Sequence, residues 1–195
     1  MPSLVQKPAP QFTASAVMPD GSFATVSLSD YRGKYVVLFF YPLNFTFVCP
    51  SEILAFHKAS KEFEKLDTQL LGISVDSQYS HAAWRRAPLE QGGIGSISFP
   101  LISDITHSIS RDYGILLEGG VALRGLYLID REGIVRSQVV HDLPLGRSVE
   151  ETLRVVEALQ FTEQHGEVCP ANWKKGLKGM TPSHAGVSEY LKSNF

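Results

Sequence analysis

A chain of 195 residues, 44% hydrophobic and 19% charged, holds enough apolar material for one core of ordinary size plus some extra. A formal net charge of −2 leaves no basic surplus to draw it to nucleic acid or to an anionic membrane. No apolar run approaches the roughly 20 residues of a membrane helix, and the stretch from Met1 to Asp20, with Pro2, Pro8, Pro10 and Pro19, has no signal-peptide core. A soluble, cytoplasmic protein is the expectation.

Lys7-Pro8-Ala9-Pro10 reads as an extended lead-in. Asp20-Gly21 lies between two short alternating runs, Thr13 to Val17 and Phe23 to Leu28, the pattern of a hairpin. Ser29 to Gly33 predicts a brief helical turn. Tyr35 to Tyr41 is continuously apolar, as a strand buried on both faces should be. The run ends at Pro42, and a short loop leads to Pro50, which suits the first helical position because its missing N–H costs nothing there. Ile53, Phe56, Phe63 and Leu66 then recur at helical spacing, which predicts one helix to about Leu66.

Leu70 to Val75 predicts a second buried strand, Ser77 to Ala87 a helix stopped by Pro88, and Pro100 to Ile102 a short strand. Asp104 is placed to cap a helix running to Tyr113 and stopping at Gly114. Arg124 to Ile129 and Ile134 to Val140 are strands joined by Asp130-Arg131-Glu132-Gly133. Ser148-Val149-Glu150-Glu151 has the form of a capping box and opens a helix to His165-Gly166. The last stretch, Val168 to Phe195, is rich in Pro, Gly, Lys and Ser and reads as an arm with little core material. Strands and helices alternate first, then a hairpin and a helix close the chain. This predicts an α/β sheet with helices on its faces, of thioredoxin-like form, with an N-terminal hairpin and a C-terminal arm. The expected division is 1–166 for the domain and 167–195 for the arm.

The chemistry-bearing candidates begin with two cysteines. Cys49 and Cys169 are far apart and form no Cys-x-x-Cys, so neither a local redox pair nor half a zinc site is written here. Cys49 falls at or just inside a helix start, where free N–H groups and the helix dipole favour an anion. A thiol there leans towards thiolate, the nucleophilic form; the alternative is a cysteine that merely fills space at a strand end. Lowering a thiol pKa from roughly 8.5 to roughly 6 takes about 3.4 kcal/mol. A helix terminus typically supplies about 0.3–1 kcal/mol and at best about 2. A cation is therefore required as well. Even full ionisation raises the reactive fraction only about 30-fold at neutral pH, so selectivity for an oxidant needs groups that act on the transition state.

Arg124, at the start of an apolar strand, is the leading cation, with Arg147 second; either could equally be a solvated strand-end or loop charge. Thr46 is either a turn residue or a hydroxyl able to donate and accept beside the sulfur. Cys169 is either a spare thiol on the tail or one that resolves an oxidised Cys49. The six histidines do not cluster and form no His-x-x-x-His pair, so no metal is expected, and no cofactor either. Gly92-Gly93-Ile94-Gly95 follows a helix and Pro88 rather than a strand, unlike a dinucleotide fingerprint. A general thiol–disulfide oxidoreductase is disfavoured by the missing Cys-x-x-Cys.

Pro42-x-x-x-Thr46-x-x-Cys49, within Phe-Tyr-Pro…Phe-Val-Cys-Pro-Ser-Glu, resembles the active-site signature of the typical two-cysteine peroxiredoxins. The resemblance extends through Lys7-Pro8-Ala9-Pro10-x-Phe12, Arg124-Gly125-Leu126, Asp142-Leu143-Pro144-Leu145-Gly146-Arg147-Ser148 and His165-Gly166-Glu167-Val168-Cys169-Pro170. It implies a thiol peroxidase for hydrogen peroxide and alkyl hydroperoxides. Cys49 would attack the peroxide, Pro42 would shield the sulfur, Thr46 and Arg124 would hold the peroxide, and Glu52 and Arg147 would fix Arg124. It further implies that Cys169 of the partner chain resolves the sulfenic acid as an intersubunit disulfide reduced by thioredoxin or a similar dithiol protein. Dimers assembling into rings of five dimers, and a secondary holdase or redox-signalling role, belong to the same expectation. Gly92-Gly93-Ile94-Gly95 matches the family's loop linked to overoxidation. The companion Tyr-Phe of sensitive members reads Tyr190-Leu191 here, which weakens the expectation of strong sensitivity to sulfinic acid formation.

Overall fold

The computed structural model describes residues 3–195. It divides into two compact units, one ending at Val149 and the other running from Glu150 to Phe195.

The first unit is built on one seven-stranded sheet of order β2-β1-β5-β4-β3-β6-β7. Its strands are β1 (Thr13–Val17), β2 (Phe23–Ser27), β3 (Tyr35–Phe40), β4 (Thr68–Ser74), β5 (Leu101–Ser103), β6 (Arg124–Ile129) and β7 (Val135–His141). β3, β4 and β5 run parallel, while β1–β2, β1–β5, β3–β6 and β6–β7 are antiparallel. The predicted hairpin and all seven predicted strands are present, and the sheet with its flanking helices is the expected thioredoxin-like α/β arrangement.

β3 is buried along its whole length because both faces of the sheet are covered. Val36, Leu38 and Phe40 point into one core, with Leu71, Ile73, Tyr127 and Ile129. Phe39 points the other way and stacks on Phe56 at 4.5 Å, with Phe99 edge-on at 5.5 Å. Phe56 belongs to α1 (Cys49–Lys58) and Phe63 to α2 (Ser60–Lys65), their rings 6.1 Å apart. The single helix expected to Leu66 is thus two short ones. The ladder breaks at Ala59 (φ −88°, ψ 0°), which lets both phenylalanines reach the same face of the sheet.

α3 (Gln78–Arg86) is capped by Ser77, whose side chain accepts from the Ser80 N–H. α4 spans only Ser108–Asp112. Asp104 is not its N-cap residue, contrary to expectation: from four residues upstream its carboxylate accepts from the Ile109 and Ser110 N–H groups at 3.0 and 2.7 Å. It satisfies helix-start donors by reaching forward across the turn.

Register explains why one end of this sheet matters. Phe39 pairs with Leu126 on antiparallel β6, so continuing the ladder brings Arg124 level with Tyr41, where β3 gives way to the loop before α1. The carboxyl ends of parallel β3, β4 and β5 open at that same edge, the usual place for a site in a sheet of this kind.

The second unit contains α5 (Val149–His165, from its second residue) and α6 (His184–Asn194). α6 was not anticipated in the Pro- and Gly-rich tail; Ser183 caps it by accepting from the Gly186 N–H at 3.1 Å. Between the helices, Val168 and Met180 form an antiparallel bridge, and Trp173 packs on Phe161 at 4.8 Å. No helix of the described residues is long and apolar enough to cross a membrane.

Candidate active site

Cys49 is the first residue of α1, and its side chain is fully buried. Pro50 sits in the first turn, as its lack of an N–H predicts. The loop from Pro42 to Val48 folds back so that the Thr46 hydroxyl lies 2.9 Å from Cys49 Sγ. That hydroxyl also lies 2.8 Å from the Leu43 carbonyl oxygen. It has one proton, so it donates to one acceptor at a time. With an anionic sulfur it can give the proton to Sγ, and with a thiol it can give it to Leu43 while accepting from S–H. Phe45, between Asn44 and Thr46, takes a left-handed backbone (φ 55°), a conformation that costs on the order of 1–3 kcal/mol for such a residue. Pro42 is buried at the head of the loop.

Arg124 Nη1 lies 3.4 Å from Cys49 Sγ. Its direction is fixed on two sides: Nε donates to the Leu143 carbonyl at 2.7 Å, and Nη1 donates to Glu52 Oε2 at 2.6 Å. Glu52 is one helical turn after Cys49, close enough on α1 to share the same cation. Arg147 completes the cluster. Its backbone N–H and Nε donate to Glu52 Oε1 at 3.0 and 2.7 Å, Nη2 donates to Oε2 at 3.0 Å, and Nη1 donates to the Gly125 carbonyl at 2.7 Å. The Arg147 guanidinium also rests over the Phe39 ring at 5.5 Å.

Charge decides what this cluster favours. The side chains of Arg124, Glu52 and Arg147 are no more than 4% exposed. Burial works to raise the Glu52 carboxyl. The hydrogen bonds and charge of Arg147, with Arg124 behind them, outweigh it and hold the carboxyl below its ordinary value. Burial likewise draws the Arg147 guanidinium down, against the pull of Glu52. Two guanidiniums around one carboxylate leave one positive charge, and an anion on Cys49 is what balances it. Buried charges without such a balance are costly.

Cys169 lies in the second unit and is half-buried; its Sγ donates to the Ala158 carbonyl at 3.5 Å and lies 3.7 Å from the Thr162 hydroxyl. Thus Thr46, Arg124, Glu52 and Arg147 gather around Cys49, Pro42 heads the same loop, and Cys169 has its own surroundings.

Sequence reasoning passed over a polar group beside the loop. Buried Asn44 and His81 and half-buried Asp76 and Ser80 form a hydrogen-bonded set with Tyr41. Burial pushes His81 down to about 4, against the opposing pull of Asp76 and its hydrogen bond to Ile102. The only signal in the sequence was a run of polar residues directly after a buried strand.

Residues 5–138 match the AhpC/TSA family, and residues 158–193 match the C-terminal domain of 1-Cys peroxiredoxin. The chain belongs to the AhpC/TSA family of peroxiredoxins. It is 54% identical over 190 residues to peroxiredoxin-1 of Gallus gallus, covering 97% of this chain and 96% of that protein. The reduced 2-Cys peroxiredoxin of Plasmodium vivax superposes with a TM-score of 0.96 at 53% identity, covering 98% of this chain and all of that one. A thioredoxin peroxidase I of Plasmodium yoelii is 55% identical, with a TM-score of 0.79 over 88% of this chain and 99% of that one. This peroxiredoxin is accordingly a thiol peroxidase, an oxidoreductase of the two-cysteine type.

Proposed function

We propose that Cys49 is the peroxidatic thiol and that Cys169 of the partner subunit resolves it. The observation that carries the first assignment is the buried Cys49 sulfur at a helix start with Thr46 Oγ1 at 2.9 Å and Arg124 Nη1 at 3.4 Å. The thiolate attacks one peroxide oxygen. An S–O bond forms, the O–O bond breaks, and the departing oxygen leaves with a proton as water or alcohol. Arg124 supplies positive charge where the departing oxygen gains negative charge, and the Thr46 hydroxyl orients the oxygen under attack. Glu52 and Arg147 position Arg124. Pro42 keeps water from the sulfur, so the neutral sulfenic acid persists long enough to be resolved.

In the second step the Cys169 thiolate attacks the sulfenic sulfur. An S–S bond forms between subunits and the oxygen leaves as water. Two electrons and two protons from a dithiol protein of the thioredoxin type return both thiols. Hydrogen peroxide and alkyl hydroperoxides are the proposed substrates. A homodimer that assembles into a ring of five dimers is the proposed working form, in the cytoplasm, where a dithiol reductant is maintained. The proposed organisation is a peroxidase domain over residues 1–166 with an arm over 167–195.

Non-reducing electrophoresis after one equivalent of peroxide tests the assignment. A disulfide-linked dimer is expected for the wild-type protein and for neither Cys49→Ser nor Cys169→Ser. Cys169→Ser should still consume one equivalent of peroxide. Undiminished peroxide turnover by Cys49→Ser would end the reading.

A further inference from the structure

The Pro42–Val48 loop carries both Thr46 and the approach to Cys49, and one of its residues is bonded far more heavily than positioning a turn requires. Asn44 is 7% exposed. Its backbone N–H donates to Asp76 Oδ2 at 2.9 Å, and its Nδ2 donates to Ser80 Oγ at 2.9 Å. Its Oδ1 accepts from the Tyr41 hydroxyl at 3.0 Å. The remaining Nδ2 hydrogen points to His81 Nδ1 at 3.0 Å.

The contact at the other ring nitrogen settles the imidazole's form. His81 Nε2 faces the Ile102 carbonyl at 3.2 Å, and a carbonyl only accepts, so the proton of a neutral ring sits on Nε2. Nδ1 is then a bare acceptor aimed at Asn44. The Tyr41 hydroxyl, 3.3 Å from the same nitrogen, donates there or to Asn44 Oδ1, and the set ties the loop to Asp76 after β4, to α3 and, through Ile102, to β5. Directly after Asn44 the backbone is strained at Phe45. A strained residue stays closed only while its neighbours hold it.

We propose that Asn44 is the catch that keeps the loop closed around Cys49, with the buried His81 imidazole as its keeper, and that this catch sets how fast oxidised Cys49 becomes available for resolution. The proposal rests on the two-cysteine reading above. Cys49 is fully buried, so a thiol of another chain can reach its sulfur only from an open loop, whereas peroxide attack uses the closed one, where Thr46 and Arg124 flank the sulfur. Loss of the catch shifts the balance in one direction and so moves the two steps oppositely. Among the described residues no buried side-chain nitrogen or oxygen lacks a hydrogen-bond partner. Asn44→Ala removes from the closed form the side-chain bonds to Ser80 Oγ, Tyr41 OH and His81 Nδ1, leaving the last two, 3.3 Å apart, to bond each other, whereas the open form has no such bonds to lose.

Trp84 supplies the readout. Its ring is 5.8 Å from Tyr41 and 5.9 Å from Phe45, so its emission follows the loop. In a Trp173→Phe background, stopped-flow emission after a peroxide pulse should resolve sulfenic acid formation and then disulfide formation, the second checked by quenched non-reducing electrophoresis. Asn44→Ala is expected to speed the second phase about ten-fold, the effect of one buried hydrogen-bonding side chain, and to slow the first. Ser80→Ala, which removes the Asn44 Nδ2–Ser80 Oγ bond together with the 3.3 Å bond from Ser80 Oγ to Asp76 Oδ1, is expected to act in the same direction by about two- to three-fold. If both variants slow both phases together, or leave both unchanged, Asn44 is a structural residue only and the catch is refuted. If the parent shows sulfenic acid and disulfide phases, the peroxidase reading stands whatever the variants do. If it shows neither, that reading falls and takes this one with it.

Discussion

Removing the carboxylate charge at Glu52 should make the protein less stable and the Cys49 sulfur more readily ionised, while slowing the reaction with peroxide. In Glu52→Gln the two buried guanidiniums lose their shared counter-charge. Breaking a buried ion pair from one side costs about 3–5 kcal/mol, which for a chain of this size lowers Tm by roughly 6–20 °C. Arg124 Nη1 lies 2.6 Å from Glu52 Oε2 and 3.4 Å from Cys49 Sγ, so carboxylate and sulfur are within about 6 Å of each other. At that distance and an effective dielectric of about 20, their repulsion is roughly 3 kcal/mol, and the substitution abolishes it. Alkylation of Cys49 by a neutral reagent, followed against pH in a Cys169→Ser background, should shift to lower pH. Peroxide turnover should fall about a hundred-fold, because Arg124 loses the contact that aims it. The pH dependence of stability changes too. The lowered Glu52 carboxyl contributes stability above its ordinary value of 4.5, and that contribution disappears as pH falls through the lowered value. Glu52→Gln should lack this acid-side slope. If alkylation and peroxide turnover fell together, or Tm did not move, the balance of charge argued for this cluster would be wrong.

Thr46→Val keeps the shape of the loop and removes the hydroxyl 2.9 Å from the sulfur; sulfenic acid formation should slow by about 10²–10³-fold with alkylation of Cys49 much less affected. Gly93→Ala would drive a Cβ into the Ala87 carbonyl oxygen. The Gly92–Gly95 segment must then shift, at a cost of about 1–3 kcal/mol. Because Gly92 accepts from the Trp84 indole at 2.7 Å, a changed tryptophan emission should accompany the lower Tm.

The readable parts of this protein were those whose information is local. A continuous apolar run specified β3, since a strand packed on both faces has no polar side to show, and Pro50 marked the start of α1 to within a residue. The break at Ala59 carries no glycine or proline to announce it; tertiary packing of Phe56 and Phe63 on the sheet decided it. α6 was hidden by the composition of the tail, although Val187, Tyr190 and Leu191 recur at helical spacing after Ser183, which would have been signal enough. Magnitude alone demanded a cation near Cys49. It could not say that Arg124 would reach it, because that contact depends on the register of β6 against β3. The Asn44–His81 set was illegible for the same reason: its members come from the ends of separate elements, and only the folded sheet edge collects them.

The arginine–glutamate–arginine cluster has one more implication under the proposed chemistry. A thiolate neutralises it, but the sulfenic acid formed on the first turnover is uncharged, so each successful reaction leaves an unmatched positive charge sealed in the protein interior. On that chemistry, oxidation weakens the very grip that holds the reduced sulfur. A further oxidation to sulfinate would restore the missing anion and draw the sulfur back in. The same three residues that prepare the enzyme to react would then hold it in the inactivated state.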